Sequence, residues 1–113
     1  MANPDYFDSL PFPVTVCDPE GVIVAMNDAA AQNFAKDGGR ALIGTNLSAC
    51  HNADSQDKIR RMLDGQTANV YTSEKNGKKK LIYQAPWFQN GEYAGILELS
   101  FEVPKEIPNF LRE

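Results

Sequence analysis

The sequence predicts an α+β domain: two strands, a run of short helices, then three strands joined by hairpins. Three observations carry that assignment. A β-branched run, Val14-Thr15-Val16, is followed after Asp18-Pro19-Glu20-Gly21 by a second strand-like run, Val22-Ile23-Val24-Ala25-Met26. Two helix-favouring stretches follow, with apolar residues three and four apart. From residue 68 the apolar period changes to two, broken by Asn76-Gly77 and Asn90-Gly91, dipeptides that suit tight hairpin turns.

Residues 1–12 are turn-prone, with Pro4 and Pro11, yet carry Tyr6, Phe7, Leu10 and Phe12. That mix predicts a short amphipathic lead-in packed on the domain or on a second copy of it. Proline pre-sets φ and glycine accepts positive φ, so Asp18–Gly21 is a turn between the first two strands. Asn27 or Asp28 then offers a side-chain oxygen to cap a helix starting near Ala29. The stretch 28–35 is alanine-rich, with Ala30 and Phe34 four apart on one face, and Gly38-Gly39 closes it. The residues Ala41-Leu42-Ile43-Gly44 lead to Ser48-Ala49-Cys50-His51, and 52–55 make a turn and a cap. A second helix is predicted over 56–63, with Ile59, Met62 and Leu63 on one face and Lys58, Arg60 and Arg61 outward.

Strands are predicted over 68–74, 79–87 and 92–103. In the second of these Leu81, Tyr83, Ala85 and Trp87 share one face, and Ile82 and Gln84 the other. In the third, Leu97, Leu99, Phe101 and Val103 point one way while Glu98, Ser100 and Glu102 point to solvent. Such alternation is that of an antiparallel sheet with one covered face, and on it Tyr83 looks inward. Pro104 and Pro108 end the sheet, and 105–113 reads as an extra helix or a frayed end.

At 113 residues the chain is one domain, and 42% hydrophobic with 23% charged residues is ordinary for a globular chain. No apolar run approaches the roughly 18 residues of a membrane span, and the N-terminus lacks the basic and apolar regions of a secretory signal. The expected location is the cytosol, with no membrane partner. A net charge of −4 disfavours nucleic acid; the local run Lys75, Lys78, Lys79 and Lys80 brackets Asn76-Gly77 and reads as a solvated hairpin tip. Cys17 and Cys50 form neither a framework nor a CxxC pair, so both are expected free and partly buried.

Asp18, Gly21, Ile23, Asn27 and Ala30 fit the outline "D.xG.I...N.A" with which PAS domains open, and the segment resembles that family. Later stretches add to the likeness: Leu42-Ile43-Gly44 with His51 and Asp54, Gly65 with Glu74–Gly77, and Gly95–Ser100. Asn52 and Ala53 depart from the Pro and Glu of many members. The resemblance implies a PAS-like five-stranded antiparallel sheet with short helices packed on one face. It implies a lead-in over 1–12, the PAS domain over 13–103 and a tail over 104–113. It also implies a cavity between the sheet and the long helix. Phe34, His51, Met62, Tyr71, Tyr83, Trp87 and Leu97 are the candidate ligand-binding residues there, with Tyr83, His51 or Gln84 as polar groups. The implied function is a non-catalytic sensor of prokaryotic-type regulation, binding a small molecule and signalling as a homodimer or through a partner protein. With no output domain in the chain, it docks to a separate protein or is a fragment of a longer sensor.

Two other readings stand beside this one. His51 is the lone histidine and an axial haem ligand is within its chemistry; Cys50 beside it could serve as a redox thiol. Flavin photochemistry is disfavoured, because neither Arg nor Gln follows Cys50 in the pattern of the light-sensing branch. A ligand-free dimerisation module with a filled core is the second. An enzyme is the least supported, since no phosphate loop, metal motif, nucleophile elbow or poised acid/base pair is present.

Overall fold

The computed structural model describes residues 3–46 and 67–113. A one-turn helix α1 (Asp5–Asp8) precedes β1 (Val14–Cys17) and β2 (Ile23–Met26), then α2 (Asp28–Asn33) and two 3-10 turns, Ala35–Asp37 and Gly39–Leu42. After the residues outside the description come β3 (Asn69–Lys75), β4 (Lys78–Gln89) and β5 (Glu92–Glu102). The five strands form one sheet in the order β2-β1-β5-β4-β3, every neighbouring pair antiparallel. The predicted α+β class, the five-stranded antiparallel sheet and, over the described residues, the order of elements along the chain hold. The predicted helix over 56–63 lies outside the described residues.

Local chemistry explains the corners. The Asp18 carboxylate accepts from the N–H groups of Glu20 (2.9 Å) and Val22 (3.0 Å), and Gly21 takes φ 87°, closing the first hairpin. Asn76-Gly77 and Asn90-Gly91 all take positive φ, the geometry that matches the twist of two-residue hairpins. The Lys75–Lys80 tip is exposed, with Lys79 3.7 Å from Glu74, as a solvated turn requires. Pro86 lies in a strand flanked on both sides for much of its length, yet β3 reaches no further along β4 than the Asn69–Gln84 pair. Pro86 therefore sits where β4 has only β5 beside it and no ladder donor is lost on the β3 side.

Asn27, fully buried, joins three elements. Its Oδ1 accepts from the Val14 N–H (3.0 Å) and the Ala30 N–H (2.9 Å), capping α2 and holding the start of β1. Its Nδ2 donates to the Phe12 carbonyl (2.9 Å), and its backbone N–H donates to the Val14 carbonyl (3.1 Å). Beside this knot Arg40 donates to the Met26 carbonyl (3.0 Å) and pairs with Asp28, with Asp8 of α1 at 3.9 Å. Asn3 reaches both Asp8 and the Met26 carbonyl. One helical turn is not stable alone; α1 is held by these contacts and by half-buried Phe7 and Leu10. The apolar core centres on Cys17, Ile23, Met26 and Ala30, with Phe34 and Leu42 against it. The segment 105–113 forms no helix, and Ile107, Phe110 and Leu111 are exposed.

At the far end of the sheet the Trp87 indole N–H donates to the Cys17 carbonyl (3.0 Å) beside Gly95. Gly95 takes φ 138°, and a Cβ there would stand 1.8 Å from the Cys17 carbonyl oxygen. No side chain fits between β5 and the end of β1.

Two stability predictions follow from these contacts. Asn27→Ala leaves two buried N–H groups unpaired and removes a helix cap, and should cost about 2–4 kcal/mol, read as a fall in the urea midpoint at unchanged m. Gly95→Ala should cost about 3 kcal/mol or more in the same assay, through a backbone clash at an unfavourable φ. A midpoint within error of the parent for either variant would refute its assignment.

Candidate functional site

Register decides which side chains share a face, because directly opposed residues project from the same side. Cys17 pairs with Ile96, and Thr15 with both Met26 and Glu98. Glu98 also pairs with Gln84, and Gln84 with Asn69; Ile82 pairs with Tyr71 and Ser100. These residues form the inner face, the one on which Ala30 of α2 packs through Cys17, Ile23 and Met26. Val16, Ala25, Leu97, Ala85, Leu99, Tyr83, Val70, Leu81 and Phe101 occupy the outer face.

The predicted orientation of the late strands is therefore reversed. Tyr83 and Phe101 are each 39% exposed, whereas Gln84 and Ser100 are each 9% exposed. Gln84, not Tyr83, looks inward, and Glu98 and Ser100 do not point to solvent on an uncovered face. The reason is that both faces carry apolar residues: Ile82 and Ile96 pack inward, and Phe12 of the lead-in stacks edge-to-face on Phe101 at 5.9 Å outside. A sheet that carries apolar residues on both faces loses the simple one-sided alternation.

The inner face divides in two. Its β1–β2 half is the apolar core beneath α2. Its β3–β4–β5 half carries a polar row across the strands. Asn69 Nδ2 donates to Gln84 Oε1 (3.0 Å), and Gln84 Nε2 donates to Glu98 Oε2 (2.7 Å). Buried Thr15 lies opposite Glu98 on the next strand, and Ile82 and Ile96 flank the row.

The candidate residues distribute unevenly over this frame. Phe34 packs against the core cluster and Tyr71 stands on the inner face, so both border the same side of the sheet. Tyr83 and Leu97 stand on the outer face, apart from them. Trp87 spends its polar group on the Cys17 carbonyl at the sheet's end. His51, Met62 and Cys50 lie outside the described residues. Asn69 and Glu98 were not among the sequence candidates; the available signal was a Gln and a Glu inside otherwise apolar strands.

Electrostatics agree with the register. Burial pushes the Cys17 thiol up to about 12, with the negative charges of Glu98 and Asp18 adding to it. Burial, and then Glu98, also raises the Tyr71 hydroxyl above its usual range. Cys17 is a free, buried thiol, half of the expectation for the two cysteines. Among the described residues no three His, Cys, Asp or Glu side chains cluster as a metal site, and no helix is long and apolar enough to cross a membrane.

Comparison with known proteins gives a consistent picture. The family described as PAS fold matches residues 7–104. No curated protein sequence matches the chain. Among solved structures, the PAS domain of BvgS from Bordetella pertussis superposes with a TM-score of 0.66 at 18% identity, covering 88% of this chain and 82% of that one. VqmA bound to DPO, a Vibrio cholerae protein, gives 0.68 at 17% identity over 88% of this chain and 55% of that one. The Aer2 receptor from Vibrio cholerae, a dual PAS-heme oxygen sensor, gives 0.61 at 16% identity over 82% and 95%. At these identities the likeness is one of fold.

The raised Cys17 thiol sets a prediction. Its folded value lies above the ordinary 9.0, so the neutral thiol is favoured by folding; that stability is full below about pH 9 and is lost as pH rises toward 12. At pH 8 only about one thiol in ten thousand is ionised. In a Cys50→Ser background, an aromatic disulfide reagent at pH 8 should label Cys17 at least a hundredfold more slowly in folded than in urea-unfolded protein. Equal rates would refute the burial of this thiol.

Proposed function

The chain belongs to the PAS fold family, and from that premise we propose a sensor module of signal transduction that binds a small molecule on the inner face of its sheet. The observation that carries this reading is the polar row on that face. A module whose interior served packing alone would fill this position with apolar side chains, because burying polar groups costs free energy unless each is paired. Here Gln84 is buried and Glu98 half-buried where Ile82 and Ile96 flank them, and Asn69 joins the row from the exposed strand β3. That arrangement suits recognition better than packing. VqmA with DPO and the Aer2 heme sensor are relatives in fold whose names include a bound group, which supports the same reading here.

Transmission runs through the outer face. Val70, Tyr83 and Phe101 are partly exposed there, and Phe12 of the lead-in rests on Phe101. Exposed apolar groups of this kind favour a second copy or a partner protein as cover. The same observation supports the alternative of a dimerisation module that binds no ligand. The haem or thiol-redox alternative rests on His51 and Cys50. In either sensor reading the ligand acts only by differing in affinity for two states of the module. No catalytic role is assigned to any residue, and the site is proposed as non-catalytic and cytoplasmic.

The test is native mass spectrometry of freshly purified protein together with an absorption spectrum from about 300 to 700 nm. The expected result is a small colourless species released on denaturation and a blank visible spectrum. An intense band near 400 nm that is lost in His51→Ala would replace this reading with the haem one. A ligand-free dimer, unaltered by any added compound, would replace it with the dimerisation module.

A further inference from the structure

We propose that the polar row is the seat of an organic cation, an amine, amidine or guanidine on a small apolar body, held by the Glu98 carboxylate. The inference rests on the small-molecule reading above and names the class of ligand. Glu98 projects from β5 onto the inner face between Gln84 and Thr15. Gln84 Nε2 donates to its Oε2 at 2.7 Å. Asn69 Nδ2 holds the Gln84 carbonyl oxygen at 3.0 Å, which fixes the amide so that its N–H side faces the carboxylate. The carboxylate is thus oriented by a chain of two amides, and no donor among the described residues takes its Oε1.

Charge completes the argument. The ion pairs of the described residues are Arg40 with Asp8 and Asp28, and Lys79 with Glu74; none includes Glu98. Among the described residues this half-buried carboxylate has a single amide donor and no cation, and desolvation of a charge is offset only by a counter-charge or several hydrogen bonds. Its field is felt on the same face, at Tyr71 and Cys17. Anions are repelled from such a position, neutral donors gain one hydrogen bond, and a cation gains both the hydrogen bond and the charge. Ile82 and Ile96, two residues before Gln84 and Glu98 on the same face, offer apolar contact to the body of the ligand.

Benzamidine and benzamide, near-isosteres that differ in charge, are the probes. Each is titrated into the 15N-labelled protein while the side-chain amide signals of Asn69 and Gln84 are followed, in the parent and in Glu98→Gln. Benzamidine should shift both amides and bind at least tenfold more tightly than benzamide, and Glu98→Gln should erase the difference. The Glu98→Gln variant without ligand should melt no lower than the parent, since it removes an uncompensated charge and keeps the partner of Gln84. Equal binding of the two probes, unchanged in Glu98→Gln, would overturn the cation and leave the small-molecule reading standing. Failure of both probes to move either amide, with Glu98→Gln melting lower, would make Glu98 a structural residue and remove the support for both readings.

Discussion

The closure of the fold depends on one side chain. Asn27 offers one oxygen to two backbone donors and one amide to a backbone acceptor, and it does so without contact with water. Those three bonds join the lead-in at Phe12, the first residue of β1 and the first turn of α2. An aspartate would supply the oxygens without the donor to Phe12, and a serine is too short to bridge all three. Around it, Arg40 and Asn3 add contacts to the Met26 carbonyl, so the end of β2 is held from both the lead-in and the 3-10 turn. These outer pairs are partly exposed and individually weak. The buried asparagine is what gives the corner a single geometry.

The corner was legible in the sequence because its causes are local. Asp18, Gly21 and Asn27 act within a few residues of themselves, and their types announce what they do. The two Asn-Gly turns likewise set the hairpins. Counting outward from Asn76-Gly77 places Asn69 opposite Gln84, as observed. The same count from Asn90-Gly91, which pairs Gln89 with Glu92, brings Gln84 opposite Leu97. The structure pairs it with Glu98, because the register shifts between Trp87 and Phe88. One extra residue moves every side chain of one strand relative to its partner. No residue type at 87 or 88 announces that shift. Its companion is the close passage of Gly95 by the Cys17 carbonyl, a contact between segments distant in sequence.

The assignment of faces failed for a related reason. Hydrophobic alternation tells which residues of a strand lie together, and it grouped Leu81, Tyr83 and Ala85 correctly. It does not tell which group meets the helices when both faces are apolar. The more aromatic face was expected inside, yet it is the one that receives Phe12 and remains partly open. Polar residues on the inner face then read as solvent-facing. Buried Gln84 and half-buried Glu98 were hidden by the assumption that a core is apolar throughout, an assumption that fails on this face of the sheet.

Strand β5 lies at the meeting point of these features. It is central in the sheet, paired to β1 on one side and β4 on the other. Glu98 projects inward from it while its neighbours Leu97 and Leu99 project outward. On the proposed reading, a cation at Glu98 and a protein at the outer face act on adjacent residues of one strand, separated by the thickness of the sheet. Coupling then needs no long pathway, only a small displacement of β5 that both sides resist or favour. The ladder to β1 carries such a displacement to Val14, and the Asn27 bonds carry it to Phe12. Because Phe12 in turn lies on Phe101 of β5, the lead-in closes a loop of contacts on the strand from which the displacement began. A change in β5 therefore strains both attachments of the lead-in at once, which makes the lead-in, more than the exposed tail, the element through which binding would be felt outside the domain.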